Sequence, residues 1–262
     1  LILEGSVKYL LFLGSGRTGS TVLGHSLNSH PEIFISREMR VLQSAIERNL
    51  PVSSFSEKII QHAISDYFHP TANMENSAAS LWQKDWIYAD RMMKKPSESV
   101  IAIGDKKQGG NTKILRSDPM KVSSALLGFD VIYITCIRRP DQVMRSYLNV
   151  GKSPESAVIE MTDDMILGAE HVVSNRGIVV IYEELLRNPK KELSLVLDTI
   201  CAKMYSDDLA RMSTQINRSK NSNPAIDEEA RLLINSYYPG FLKEIVNLVS
   251  IRRPDIKDAW RI

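Results

Sequence analysis

Leu10-Leu11-Phe12-Leu13-Gly14-Ser15-Gly16-Arg17-Thr18-Gly19-Ser20-Thr21-Val22-Leu23 decides the fold. Four apolar residues run into a turn, and the apolar residues Val22, Leu23 and Leu27 follow on one helical face. A buried strand, a tight turn and a helix are expected in that order. The turn, Gly14 to Thr21, holds three glycines, one arginine and four hydroxyl residues in eight positions. An ordinary strand-to-helix turn needs no such set. Glycines let the backbone expose N–H groups at the helix N-terminus, where the aligned peptide dipoles favour an anion. Ser20 and Thr21 add hydroxyl donors, and Arg17 adds a full charge.

Working outward, Tyr9–Leu13, Val131–Ile137 and Ile178–Ile181 are short β-rich runs, and Ser99–Ile103 is a weaker fourth. Continuous apolar strands between helical patterns predict a parallel sheet covered on both faces. Val158, Met161, Met165 and Val172 recur at helical spacing after Ser153-Pro154, a cap followed by proline at the first helical position. Asn188-Pro189 opens another helix, carrying Leu193, Val196, Leu197 and Ile200. The alternation predicts an α/β fold: a P-loop-like parallel sheet flanked by helices, with its ligand site at the carboxyl ends of the strands. The chain has no internal repeat and no linker-like stretch. One domain over residues 1–262 is expected, with a helical insertion around residues 39–95.

The chain has 262 residues, of which 43% are hydrophobic and 24% charged, and these values exclude collagen-like, low-complexity and disordered classes. Its longest clean apolar run, Tyr9–Leu13, is too short to span a bilayer. Two cysteines, Cys136 and Cys201, cannot build a disulfide scaffold and suit a reducing compartment. The first residues carry no signal-peptide pattern, so a cytoplasmic location is expected, although a start without Met leaves room for a trimmed targeting segment. The net charge of +2 hides an uneven distribution. Ile103 to Lys152 holds nine Lys/Arg and four Asp/Glu, net +5, whereas Ser153 to Met212 holds six and eleven, net −5. A local basic excess in a near-neutral chain suits a small polyanionic ligand and not a nucleic acid.

Aligned with the Walker A pattern G-x-x-x-x-G-K-[ST], Gly14 and Gly19 put Ser20 where the lysine for a nucleoside triphosphate would stand. The loop therefore suits one phosphate group. A nucleotide kinase and a non-catalytic nucleotide-binding module are the alternative readings.

Arg17-Thr18-Gly19-Ser20-Thr21 resembles the 5′-phosphosulfate loop of the sulfotransferases that use 3′-phosphoadenosine 5′-phosphosulfate (PAPS). The resemblance continues through Leu27-Asn28-Ser29-His30-Pro31-Glu32 and Glu38, where it is nearest to the protein-tyrosine sulfotransferases and their bacterial relatives. Arg138 and Ser146, eight residues apart after an apolar run, resemble the family's 3′-phosphate motif. Tyr182-Glu183-Glu184-Leu185 resembles the segment whose tyrosine lies near the adenine, and Arg218-Ser219-Lys220 a loop closing over the phosphates. Ile103-Gly104-Asp105-Lys106 resembles the strand end whose lysine sits beside the bridging oxygen, with Lys107 as its neighbour and alternative.

This resemblance implies the sulfotransferase fold and transfer of a sulfuryl group to a hydroxyl or amine, leaving adenosine 3′,5′-bisphosphate, without a metal. It implies that residues 17–21 hold the phosphosulfate, Glu38 acts as general base and Lys106 stabilises the leaving group. Glu38 stands twenty-one residues after Arg17, the family-like separation. His30 is the second candidate base, although its place beside Pro31 favours a structural hydrogen bond. Arg139 and Arg145 are expected at the surface, with Arg139 the alternative to Arg138 at the 3′-phosphate, and Glu183 and Glu184 are expected to pair with basic neighbours or cap the following helix. Arg40 matches a basic residue that holds an acidic peptide acceptor, but Ser44 stands where a second would be, which weakens that acceptor class. The partner is a small-molecule or peptide acceptor.

Overall fold

The structure is a computed structural model and describes residues 7–37, 41–51, 54, 56–59, 100–202, 206–217 and 227–260. Strands β1 (Lys8–Leu13), β2 (Ile33–Arg37), β3 (Ala102–Lys106), β4 (Asp130–Ile137) and β5 (Gly177–Ile181) form one parallel sheet in the order β2-β3-β1-β4-β5. Leu10 pairs in register with Gly104 on one side and Ile132 on the other, so β1 is central. Every side chain from Tyr9 to Leu13 is fully buried. Strands covered on both faces carry unbroken apolar runs, which is why this stretch lacks polar alternation.

Side chains alternate across the strand. Leu10 and Phe12 face α1 (Ser20–Asn28) and meet Val22, Leu23 and Leu27. Tyr9, Leu11 and Leu13 face the other way, in a cluster with Val41 and Leu42 of α2 (Val41–Arg48), Leu115 of α3 (Gln108–Ser117) and Val122 of α4 (Pro119–Ala125). Beside β4 and β5, α5 (Pro140–Asn149) and α6 (Pro154–Ser174) extend that face. After β5, α7 (Tyr182–Arg187), α8 (Pro189–Ile200) and α9 (Ser206–Asn217) cover the α1 face. The last helices, α10 (Glu228–Tyr237), α11 (Phe241–Ser250) and α12 (Ile256–Trp260), pack beside α5 and α6.

Three of the expected strands fall at β1, β4 and β5. The fourth is displaced: β3 begins at Ala102, not Ser99, and runs to Lys106. Strand β2 was not foreseen, because Ile33-Phe34-Ile35 is only three apolar residues and an edge strand has a single pairing neighbour. Helix α6 starts as expected, with the Ser153 hydroxyl accepting from the Ser156 N–H at 3.4 Å. Of the insertion expected around residues 39–95, α2 is a described helix, and most of the remainder lies outside the described residues. No helix of the described residues is long and apolar enough to cross a membrane.

Candidate functional site

The chain leaves β1 through Gly14, whose φ of +108° only glycine takes readily. Its N–H donates to Thr112 Oγ1 on α3 at 2.7 Å. From behind, Gly168 of α6 lies so close that a Cβ there would be 2.7 Å from Gly14 Cα. Two helices thus fix the start of the loop. Further on, the buried Thr18 hydroxyl donates to the Ser15 carbonyl at 3.1 Å and to Gln108 Oε1 at 3.3 Å. Gln108 Nε2 donates to the Cys136 carbonyl at 3.0 Å, and the Cys136 thiol donates to the Thr18 carbonyl at 3.1 Å. The hydroxyl of Thr18 is therefore turned inward, and its backbone is what the loop can offer a ligand.

Helix α1 begins at Ser20 with Gly19 as its N-cap, at φ +95°. Among the described residues no side chain caps this end, and its first turn holds no acidic residue. The N–H groups of a first turn have no partner within their own helix, so the end keeps its affinity for an anion. A Cβ on Gly19 would stand 2.1 Å from Tyr182 Cδ2, so glycine is what allows the tyrosine ring against the loop. At the end of β3, Lys106 is nearly fully buried and its Nζ donates to Thr21 Oγ1 at 2.8 Å. Its stem passes over Gly24, where a Cβ would be 3.3 Å from Lys106 Cγ. Lys107 is half-buried and stands at the start of α3, its stem against Gly110.

A second group gathers at the end of β4. Arg138 Nη1 reaches the Arg17 carbonyl at 3.5 Å, and its guanidinium lies 5.0 Å from the centroid of the Tyr182 ring. Arg17 Nε donates to Ser146 Oγ on α5 at 2.9 Å. The next residue on α5, Tyr147, brings its hydroxyl to 3.1 Å from Ser15 Oγ, and burial pushes that phenol up to about 12. Arg17, Arg138, Ser146 and Tyr182, far apart in sequence, are thus neighbours.

Arg139 corrects an expectation. It is buried, not at the surface: its guanidinium pairs with Asp141 at 2.6 Å and its N–H donates to Glu183 Oε1 at 2.9 Å. Pro140 starts α5, and Asp141 in the first turn of that helix is the acid that the Arg139 guanidinium meets. Arg145 is partly exposed and pairs with Asp227 at 2.5 Å and Glu229 at 2.8 Å. Glu183 also accepts from Trp260 Nε1 at 3.0 Å, and burial raises its pKa. Glu184 pairs with Arg187. His30 is fully buried, and its Nδ1 accepts from the Glu32 N–H at 3.2 Å.

Glu38, Arg40, Arg218 and Ser219 lie outside the described residues. Around the first two the chain is fixed at both sides by one fully buried carboxylate, Asp105. Its Oδ1 accepts from Ser36 Oγ at 3.1 Å, and its Oδ2 accepts from the N–H groups of Val41 and Leu42 at 2.8 and 3.4 Å. Asp105, Gln108, Thr112 and Tyr147 escaped the sequence reading as parts of the site. Their partners in the anion loop and around Ser36 to Leu42 stand 63 to 132 residues away, and only the polarity of residues at the ends of apolar runs hinted at them. Among the described residues no group of His, Cys, Asp or Glu could hold a metal ion.

No family profile matches the chain, and no curated protein does. Several solved structures are similar to it, among them the following three. The sulfotransferase domain from the Synechococcus PCC 7002 olefin synthase is 16% identical, with 90% of this chain and 96% of that chain covered and a TM-score of 0.45. The sulfotransferase STF9 from Mycobacterium avium is 14% identical, with 89% and 76% covered and a TM-score of 0.45. The sulfotransferase domain from the curacin biosynthetic pathway is 14% identical, with 95% and 98% covered and a TM-score of 0.48. At these values the likeness carries no argument about chemistry, which rests on the residues of the site.

Proposed function

We propose that this chain transfers a sulfuryl group from PAPS to a hydroxyl or amine acceptor. One observation carries the reading. At the carboxyl end of the sheet, the uncapped, acid-free N-terminus of α1 meets the buried ammonium of Lys106, while Arg17 and Arg138 gather beside it. A donor with phosphate groups at both ends of a nucleoside fits two cationic groupings better than one. When bound, the donor supplies the sulfuryl group and departs as adenosine 3′,5′-bisphosphate.

The residues divide the work. Thr18, Gly19, Ser20 and Thr21 offer backbone N–H groups, and Ser20 and Thr21 hydroxyls, to the phosphosulfate. Arg138 gives a forked, permanent charge to the 3′-phosphate, with Ser146 as a neutral donor beside it. Tyr182 presents its ring to the base. Lys106 Nζ stabilises the charge that grows on the bridging oxygen as the bond to sulfur breaks. Glu38 takes the proton of the acceptor. Arg40 meets the acceptor, and Arg218 and Ser219 cover the phosphates. Ser20, not a lysine, stands at the position from which a Walker lysine would serve a nucleoside triphosphate, which separates this reading from a kinase.

Calorimetry tests it directly. A buried charge-assisted contact is worth about 1.5–3 kcal/mol, so adenosine 3′,5′-bisphosphate should bind at least about tenfold tighter than ATP. Equal affinity would overturn the reading. Label should also pass from sulfur-35 PAPS to a phenol, alcohol, amine or sugar in an acceptor panel, and Lys106→Ala should suppress that transfer.

A further inference from the structure

We propose that Tyr147 is a positioning residue that couples the two phosphate groupings, so that a phosphate held at Ser146 sets the anion loop for the phosphosulfate. The inference rests on the reading of the site as a PAPS site. It adds a residue that acts through its neighbours.

Tyr147 follows Ser146 on α5, so one helix serves both groupings. Its side chain is nearly fully buried. The hydroxyl stands 3.1 Å from Ser15 Oγ, inside the anion loop, and donates to Glu160 Oε1 of α6 at 3.3 Å. A Cβ on Gly16 would lie 3.0 Å from that hydroxyl, so glycine lets the phenol rest on the loop backbone. The phenol therefore bears on the two residues that lead into the left-handed turn at Arg17, where φ is +66°. Glu160 is anchored in turn. Lys152 Nζ lies 2.5 Å from its Oε2 and Lys113 Nζ 3.4 Å from it, and Lys152 also stands over the Tyr147 ring, 4.5 Å from the centroid.

A ring wanted only for packing needs no hydroxyl. Burying a phenol oxygen is costly unless it is paired, and here both partners come from other elements. A second link between α5 and the loop, Arg17 Nε to Ser146 Oγ at 2.9 Å, is exposed. A bound phosphate competes for both of its groups, whereas the buried bridge at Tyr147 stays. A phosphate at Ser146 holds α5, α5 holds the phenol, and the phenol holds Ser15 and Gly16. The second phosphate then meets a loop already in place, at a smaller ordering cost. By linkage the effect is reciprocal.

The test compares adenosine 3′,5′-bisphosphate with adenosine 5′-monophosphate and adenosine 3′-monophosphate by calorimetry. The wild type should bind the bisphosphate tighter than either monophosphate. Tyr147→Phe keeps the ring and removes the bridge. It should weaken the bisphosphate by more than the product of its effects on the two monophosphates, with an excess of roughly three- to tenfold, the scale of one hydrogen bond. Ser15→Ala removes the other end of the bridge and should show the same excess, and the double variant should add little to either single one. Glu160→Gln leaves a carbonyl to accept from the phenol and should keep the wild-type coupling. Should Tyr147→Phe fail to fold, Ser15→Ala carries the same comparison. If the effects on the two monophosphates simply multiply to give the effect on the bisphosphate, or if no affinity changes, the phenol only supports the fold; the inference fails while the functional reading stands. If the wild type does not prefer the bisphosphate, the functional reading fails first and the inference with it.

Discussion

At the scale of single residues, proton transfer and charge stabilisation are separable. Glu38→Gln keeps shape and removes basicity, so it should lower kcat by at least about a hundredfold, the usual scale for a general base, and leave bisphosphate affinity nearly unchanged. Lys106→Ala should lower kcat as well, and it should also weaken the bisphosphate, because the ammonium already meets the ground state through the Thr21 position. The acidic limb of the pH–rate profile should vanish in Glu38→Gln and persist in His30→Ala. A Glu38→Gln protein that turns over like wild type would move the base to another group. Lys106 was singled out by its resemblance to a strand-end lysine, and it is the last residue of β3. Arg139 was misread because two arginines side by side look alike in sequence. Only the start of α5 decides that one turns in to Asp141 and the other faces the loop.

At the scale of elements, α6 is a support as well as a cover, and it carries a carboxylate of unusual environment. The Asp164 side chain is almost wholly buried, its Oδ1 accepts from Arg116 at 2.9 Å, and its Oδ2 has no hydrogen-bond partner among the described residues. Burial pushes its pKa up to about 6, against the pull of Arg116. An acid whose folded pKa is raised binds its proton more tightly when folded, so its ionisation costs stability as pH rises from about 4 to about 6. Asp227, Asp255 and Glu160 are shifted down and contribute the opposite slope, so the trend of the whole protein is not diagnostic. The difference is: Tm of Asp164→Asn minus Tm of wild type should grow across that interval and level off above it. A flat difference from pH 4 to 7 would show that Asp164 titrates normally. Helix α6 itself was legible from its apolar period and its Ser-Pro start. Strand β2 was not, since an edge strand of five residues leaves almost no period to read.

For the whole molecule, the parallel sheet was written in apolar runs because burial on both faces leaves nothing else to choose from. The groupings at its carboxyl end were legible only as separate motifs, since one sequence does not state which distant residues touch. The same distances bear on how the chain acquires its structure. Ser15 and Arg17 are held by Tyr147 and Ser146, 132 and 129 residues later, and Gly14 by Thr112, 98 residues later. Closing loops of that length is entropically costly and slow, so contacts of this kind form late. During synthesis, the anion loop emerges early and waits for α3 and α5 before it can be held in its final form. In refolding, recovery of bisphosphate binding should therefore lag behind recovery of helical circular dichroism. Equal rates for the two signals would mean that the loop assembles on its own, without its distant partners.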